Sequence, residues 1–362
     1  MAEYKIENGK AVIPEGTTTI EDYAFDGCAD LKSIIIPDSV TEIGEGAFYE
    51  CTALVEVVIP SSVTRIGNSA FLKCTELKSI VIPPSVTNIE RYAFEGCTNL
   101  KSIAIPDSVT EIDEGVFREC TALAEVVISP SVTRIGISAF EECTELRSIV
   151  IPPSVTNIGR KAFAKCTGLT NVEIPLGLSV IDEGLFYGCT GLMKVVIPPS
   201  VTKIGNMAFN KCTGLKDLDI PTSVTEIGPG AFSDCAGLTD VVIPSSVTEI
   251  GTATFSKCTG LTSLEIPAMV KKIGMNAFKD CTGLTGDMVI PASVEEIEGG
   301  AFFGCSGLTS IEFLGSVKKI KENNIFAYCK NLKKITVPAK KVDFYKKRLP
   351  EELHGMIEER QA

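Results

Sequence analysis

Tryptophan is missing from this 362-residue chain, histidine occurs once, as His354, and no apolar run approaches the roughly 18 residues that would cross a bilayer. No membrane insertion is expected. No Cys-x-x-Cys pair accompanies the lone histidine, so a zinc site has nothing to build on. There is also no serine elbow and no glycine loop able to cradle phosphate. These absences remove the usual equipment of catalysis, and the chain reads as a non-enzyme with no cofactor and no metal. No Asn-x-Ser/Thr acceptor occurs, so glycosylation says nothing about location. The opening residues Met1 to Lys10 lack the apolar stretch of a secretory signal, which fits a cytoplasmic protein or one whose leader has been removed.

Positive charge is scarce over most of the length. Residues 1–316 hold 22 basic and 40 acidic side chains, whereas residues 317–362 hold 12 basic and 6 acidic. An acidic body excludes nucleic acid as the expected partner, because that binding draws on neutralised phosphates. The basic end, Lys318 to Arg348, reads either as a surface for anionic partners or as a solvated end-cap.

What the chain has is a ruler. All 14 cysteines lie on it: Cys28 to Cys281 recur every 23 residues, and Cys305 and Cys329 follow at 24. A phenylalanine stands three residues before each cysteine and a leucine three residues after. A fixed period of this size marks one supersecondary unit repeated, each copy unable to bury its apolar face until a neighbour stacks on it. Equivalent cysteines in stacked coils point the same way, which is wrong for a disulfide, so the thiols are expected to be free and buried.

Within a coil, Leu54-Val-Glu-Val-Val-Ile-Pro60 alternates with the two-residue period of a strand buried on one face, with Val57 and Ile59 inward and Val58 outward. Strands recurring once per coil should align in parallel into one long sheet. Val63 and Ile66 supply two further inward positions, and a glycine such as Gly44, Gly67 or Gly136 turns the chain. Ala47, Phe48 and Cys51 then share one side of a short segment that reads as about two helical turns.

The ends differ from the body, as solenoid ends must. Residues 1–27 read as a hairpin cap around Asn8-Gly9 with a first partial repeat, 28–338 as the repeat array, and 339–362 as a cap of one or two short helices. The whole is one repeat domain. Two places depart from the unit by an extra residue, Gly286 and the stretch Lys321 to Ile325. A longer echo is superposed, since residues 37–105 and 106–174 match at 50 of 69 positions, as though three coils had been copied together.

The unit, with Leu54, Val57, Ile59, Pro60, Val63, Ile66, Ala70, Phe71 and Cys74 as one instance, resembles the BspA-like leucine-rich repeat family over about residues 11–338. That resemblance implies an α/β leucine-rich-repeat solenoid, with one parallel strand per coil forming a concave sheet and short helical turns on the other side. It also implies adhesion to host proteins or cells from a bacterial or protozoan surface. It supplies no catalytic residues.

The outward strand column gives the candidate site. Ile35, Val58, Val81, Ala104, Val127 and Val150 follow one another, after which Glu173, Val196, Asp219, Val242, Glu265, Val289 and Glu312 alternate in character. Ile35, Val58, Val81, Val127 and Val150 read as an apolar stripe for a protein partner, flanked by Ser33, Glu56, Ser79, Ser102, Glu125 and Ser148. The competing reading is that valine merely suits any pleated strand. Outward aromatic rings are absent from this column, which argues against carbohydrate or single-stranded nucleic acid. A structural spacer, an antigen, a self-associating protein and an intracellular scaffold all remain compatible with the same residues.

Overall fold

The computed structural model describes residues 4–322 and 324–361. It divides into two compact units, Met1–Leu178 and Ser179–Ala362.

In the first unit the coils cross two parallel ladders, except that residues 148–150 make only the isolated bridge Ser148↔Asn171. One ladder uses three-residue strands: Lys10–Val12, Ser33–Ile35, Glu56–Val58 and Ser79–Val81 pair in that order, and Ser102–Ala104 pairs with Glu125–Val127. The other uses two-residue strands: Thr19–Ile20, Glu42–Ile43, Arg65–Ile66 and Asn88–Ile89 form a sheet, and Glu111–Ile112, Arg134–Ile135 and Asn157–Ile158 form the next. Partners are one repeat apart, as with Glu42↔Arg65 and Val58↔Val81. The expected single long sheet is thus a succession of short ones. Where the three-residue ladder is interrupted, coils stay tied at the residue before the strand, as by the Lys101 N–H to Lys78 O bond of 3.3 Å.

The helical turns expected at Glu45–Cys51 are not there; that segment is a run of tight turns. Gly46 and Glu50 take φ of 56° and 53°, the left-handed region, and so do Ser69 and Lys73 in the next coil. The hydrogen bonds show why. The N–H groups of Gly46, Phe48 and Glu50 donate to Asn68, Ala70 and Leu72 of the following coil, while Ala47, Tyr49 and Cys51 donate three residues back. A helix would have aimed these N–H groups along its own axis, away from the next coil, and left stacking to side chains. Alternating them joins coil to coil by backbone.

Inside, Phe25, Phe48, Phe71, Phe94, Phe117, Phe140 and Phe163 form a stack with ring centroids 5.0 to 5.7 Å apart, and Tyr4 lies on Phe25 at 5.0 Å. Beside it runs the cysteine column. The thiols from Cys51 to Cys143 are free, and each donates its S–H to the phenylalanine carbonyl of the preceding coil, Cys74 to Phe48 O at 3.1 Å for instance. Burial pushes the Cys51 thiol up to about 12, against a smaller opposing pull from the Cys28 N–H. The Ser-Val-Thr triplet that follows the strand in most coils is a second coil-to-coil clasp: Ser62 Oγ donates to Val40 O at 2.6 Å and Thr64 Oγ1 to Thr41 O at 3.3 Å.

The second unit repeats this plan. Val180–Ile181, Lys203–Ile204 and Glu226–Ile227 form one two-residue ladder; Glu249–Ile250, Lys272–Ile273, Glu296–Ile297 and Lys319–Ile320 form another. Asp217–Asp219 pairs with Asp240–Val242, and Gly286–Ile290, Leu308–Phe313, Lys334–Val337 and Ile357–Glu359 make the last sheet. The extra residue at Gly286 is absorbed as a bulge, with φ of 79° and a register shift before Asp287. The extra residue within Lys321 to Ile325 involves Asn323, outside the described residues. The phenylalanine stack runs from Phe186 to Phe326.

At the start, Glu7 and Lys10 bridge antiparallel around Asn8-Gly9, and Lys10–Val12 then adds to the ladder. At the end come the helix Val342–Lys346 and the 3-10 turn Glu351–Met356. Tyr345 covers the open core there, donating its hydroxyl to Gly315 O at 2.7 Å. Ile357 does not extend a helix: after Met356 the chain leaves the 3-10 turn into the strand Ile357–Glu359, which pairs in parallel with Ile335–Val337. Backbone pairing satisfies the edge that a helix would have left open.

Candidate interaction face

The alternation that buries one side of each three-residue strand must expose the other. Val57 and Ile80 are buried, and their neighbours Val58 and Val81 are 78% and 79% exposed. Ile35, Val127 and Val150 stand out at 47%, 64% and 81%, so all five predicted stripe residues lie on the surface of the first unit. Val12, the outward residue of the first strand, joins them as the register partner of Ile35. At about 4.8 Å per coil, the seven positions from Val12 to Val150 make a column of roughly 29 Å. Ala104 is its small member. Around it, Ile80, Ile82, Ser102, Ile103 and Glu125 outline a hollow of about 310 Å³.

The flanking column is polar, with Glu56, Ser79, Ser102, Glu125 and Ser148 exposed. The ion pairs cluster elsewhere, on the two-residue ladder and the turns. Arg65 bridges coils by reaching Glu90 at 2.7 Å and Glu42 at 3.5 Å; Lys73 meets Glu50 at 2.7 Å and Arg134 meets Glu111 at 2.8 Å. Those contacts hold Glu50 below the usual carboxylate range, chiefly through the Lys73 hydrogen bond. Among the described residues no ion pair involves Glu56 or Glu125 of the flanking column.

The strand face of the second unit has a different chemistry. Val196, Val242 and Val289 are exposed, but they alternate with Asp219, Glu265 and Glu312, and Asp217, Asp240 and Asp287 stand on the flanking column. Four lysines of the basic end are answered from within: Lys318 pairs with Glu295, Lys319 with Glu296, Lys321 with Glu296 and Glu298, and Lys334 with Glu358. Among the described residues no group of three His, Cys, Asp or Glu side chains could hold a metal, and no helix is long and apolar enough to cross a membrane.

Stacked parallel strands, an inward aliphatic ladder and a bare outward face define a leucine-rich-repeat protein. More narrowly, the chain belongs to the BspA type leucine-rich repeat family, whose region is matched by overlapping segments between residues 3 and 348. Among solved structures it is similar to a leucine-rich repeat protein of Bacteroides ovatus, 31% identical, covering 83% of this chain and 88% of that one with a TM-score of 0.58. It is also similar to a leucine-rich cell surface protein of Faecalibacterium prausnitzii, 32% identical, covering 86% and 89% with a TM-score of 0.60. The pneumococcal vaccine antigen PcpA shares the fold at 20% identity, covering 99% and 96% with a TM-score of 0.57. No curated protein matches the sequence.

Proposed function

We propose that the chain is a non-enzymatic protein-interaction scaffold acting at a cell surface, where it adheres to host proteins or cells through the aliphatic stripe of its first unit. The observation that carries this reading is the column itself: six aliphatic side chains, Val12, Ile35, Val58, Val81, Val127 and Val150, exposed in line beside polar neighbours. A protein partner covers such a track with apolar side chains and closes a polar rim around it. The surface setting is supported by the Faecalibacterium prausnitzii relative, a cell surface protein.

The test is binding of fluorescently labelled protein to epithelial monolayers and to immobilised matrix proteins, wild type against Val81→Glu with Val127→Glu. Both changes replace exposed side chains, so the urea midpoint should hold while saturable binding falls at least tenfold. Equal binding by both proteins removes the stripe, and no saturable binding by the wild type removes the adhesive role.

A further inference from the structure

The second unit contains a breach in its strand face. Between the strands Asp240–Val242 and Gly286–Ile290, the coil segment Ser263-Leu-Glu-Ile266 forms no strand. None of its N–H or C=O groups makes a backbone hydrogen bond among the described residues. The coil is still pinned beside the breach, Thr262 N–H donating to Thr239 O at 3.1 Å and Thr285 N–H to Thr262 O at 3.3 Å.

The unpaired segment opens a cleft of about 810 Å³. Its walls include Val241, Leu264, Leu284 and Met288, so it reaches the solenoid's apolar interior. Leu264 is half-buried, whereas its counterparts Val241 and Met288 in the neighbouring coils are buried at 4% and 2% exposure. Asp240, Glu265 and Asp287 line the same cleft, and no lysine or arginine does. Asp287 accepts a hydrogen bond from Ser310 Oγ at 2.6 Å, and none of the three carboxylates makes an ion pair among the described residues.

We propose that this cleft binds an extended basic segment of a protein partner. Ser263, Leu264 and Glu265 line the cleft, and the unpaired donors and acceptors of this segment can hydrogen-bond an extended backbone lying in it. One apolar side chain of the segment enters against Leu264 and Met288. Lysine or arginine neighbours meet Asp240, Glu265 and Asp287, which selects a basic sequence over an acidic one. The site is separate from the aliphatic stripe and does not depend on it.

Three labelled seven-residue peptides, alternating valine with lysine, valine with glutamate and serine with lysine, serve as probes in fluorescence anisotropy. The valine-lysine peptide should bind saturably, and the other two at least tenfold more weakly. Asp240→Asn with Glu265→Gln should weaken the valine-lysine peptide tenfold. Hydrogen exchange on the unmodified chain supplies the reading that needs no variant: the amides of Ser263, Leu264 and Glu265 should slow when the peptide is bound. No saturable binding, equal binding of the serine-lysine peptide, or binding without slowed exchange there overturns the proposal. Exchange that slows with protein concentration alone assigns the cleft to a second copy of this chain, and the peptide assignment falls.

Discussion

Raising the pH from about 8 to about 10 should unfold the solenoid through its cysteines. Twelve thiols, from Cys51 to Cys305, have no exposed surface. In an unfolded chain each loses its proton near pH ~8.5. In the fold, burial pushes Cys51 and Cys235 up to about 12 and raises Cys74, Cys97 and Cys120 well above the ordinary value. Above the unfolded value the native chain therefore holds more protons than the unfolded one, and stability falls as pH rises. The contribution is complete below pH ~8.5, is lost through the window from ~8.5 to ~12, and levels off where native thiols ionise as well. Each thiol gives a slope approaching ~1.4 kcal/mol per pH unit, which integrates to about 2 kcal/mol between pH ~8 and ~10. A block of five coils that unfolds together would lose about 10 kcal/mol, comparable to the whole stability of an ordinary domain. Urea titrations followed by circular dichroism across this range, at fixed ionic strength with reductant, give the slope. An indicator dye counts the protons released on unfolding. A urea midpoint that stays flat over those two pH units would refute the reasoning, as would a native protein that releases thiol protons below pH ~10.

Gly67→Ala should cost about 1–3 kcal/mol by urea denaturation, because its Cβ would sit 2.7 Å from the carbonyl carbon and 2.8 Å from the oxygen of Gly44, backbone atoms of the coil beneath. Ala253→Gly should run against the usual direction and stabilise by up to ~1 kcal/mol, since Ala253 sits at φ of 53°, where Cβ is strained; a loss of stability in the same assay would show that the backbone bears no strain there. Phe140→Ala removes a ring stacked at 5.5 Å on both Phe117 and Phe163, and should cost about 3–5 kcal/mol with hydrogen exchange accelerated first in the flanking coils.

The period, the parallel strands and the buried free thiols were legible because each depends on residue type at a repeated position. The helix at Glu45–Cys51 was misread because Ala47, Phe48 and Cys51 share one face in a run of turns as they would in a helix. Nothing in Ser69, Tyr92 or Lys161 announces the left-handed backbone that separates the two, φ being 54°, 58° and 58°. The hydroxyl clasps of Ser62 and Thr64 were visible only as a recurrent Ser-Val-Thr triplet. The stripe could be read from alternation alone, since Val57 inward forces Val58 outward. The cleft could not, because Ser263-Leu-Glu265 carries the same pattern as Asp217-Leu-Asp219, which does pair with its neighbour. Whether a strand closes on the next coil depends on the stacking of whole coils rather than on three side chains.

The central claim is that each coil is an interchangeable layer, its inside a ladder and its outside a face. Excision of residues 84–106, one full period, tests it most directly against excision of residues 84–95, about half a period. After denaturation as the reference, a thiol reagent should find every buried cysteine outside the excised coil still protected in the first variant, with Cys97 gone and the circular dichroism per residue unchanged. Cysteines reacting along the first unit of the full-period variant, to the same extent as in the half-period one, would contradict the account.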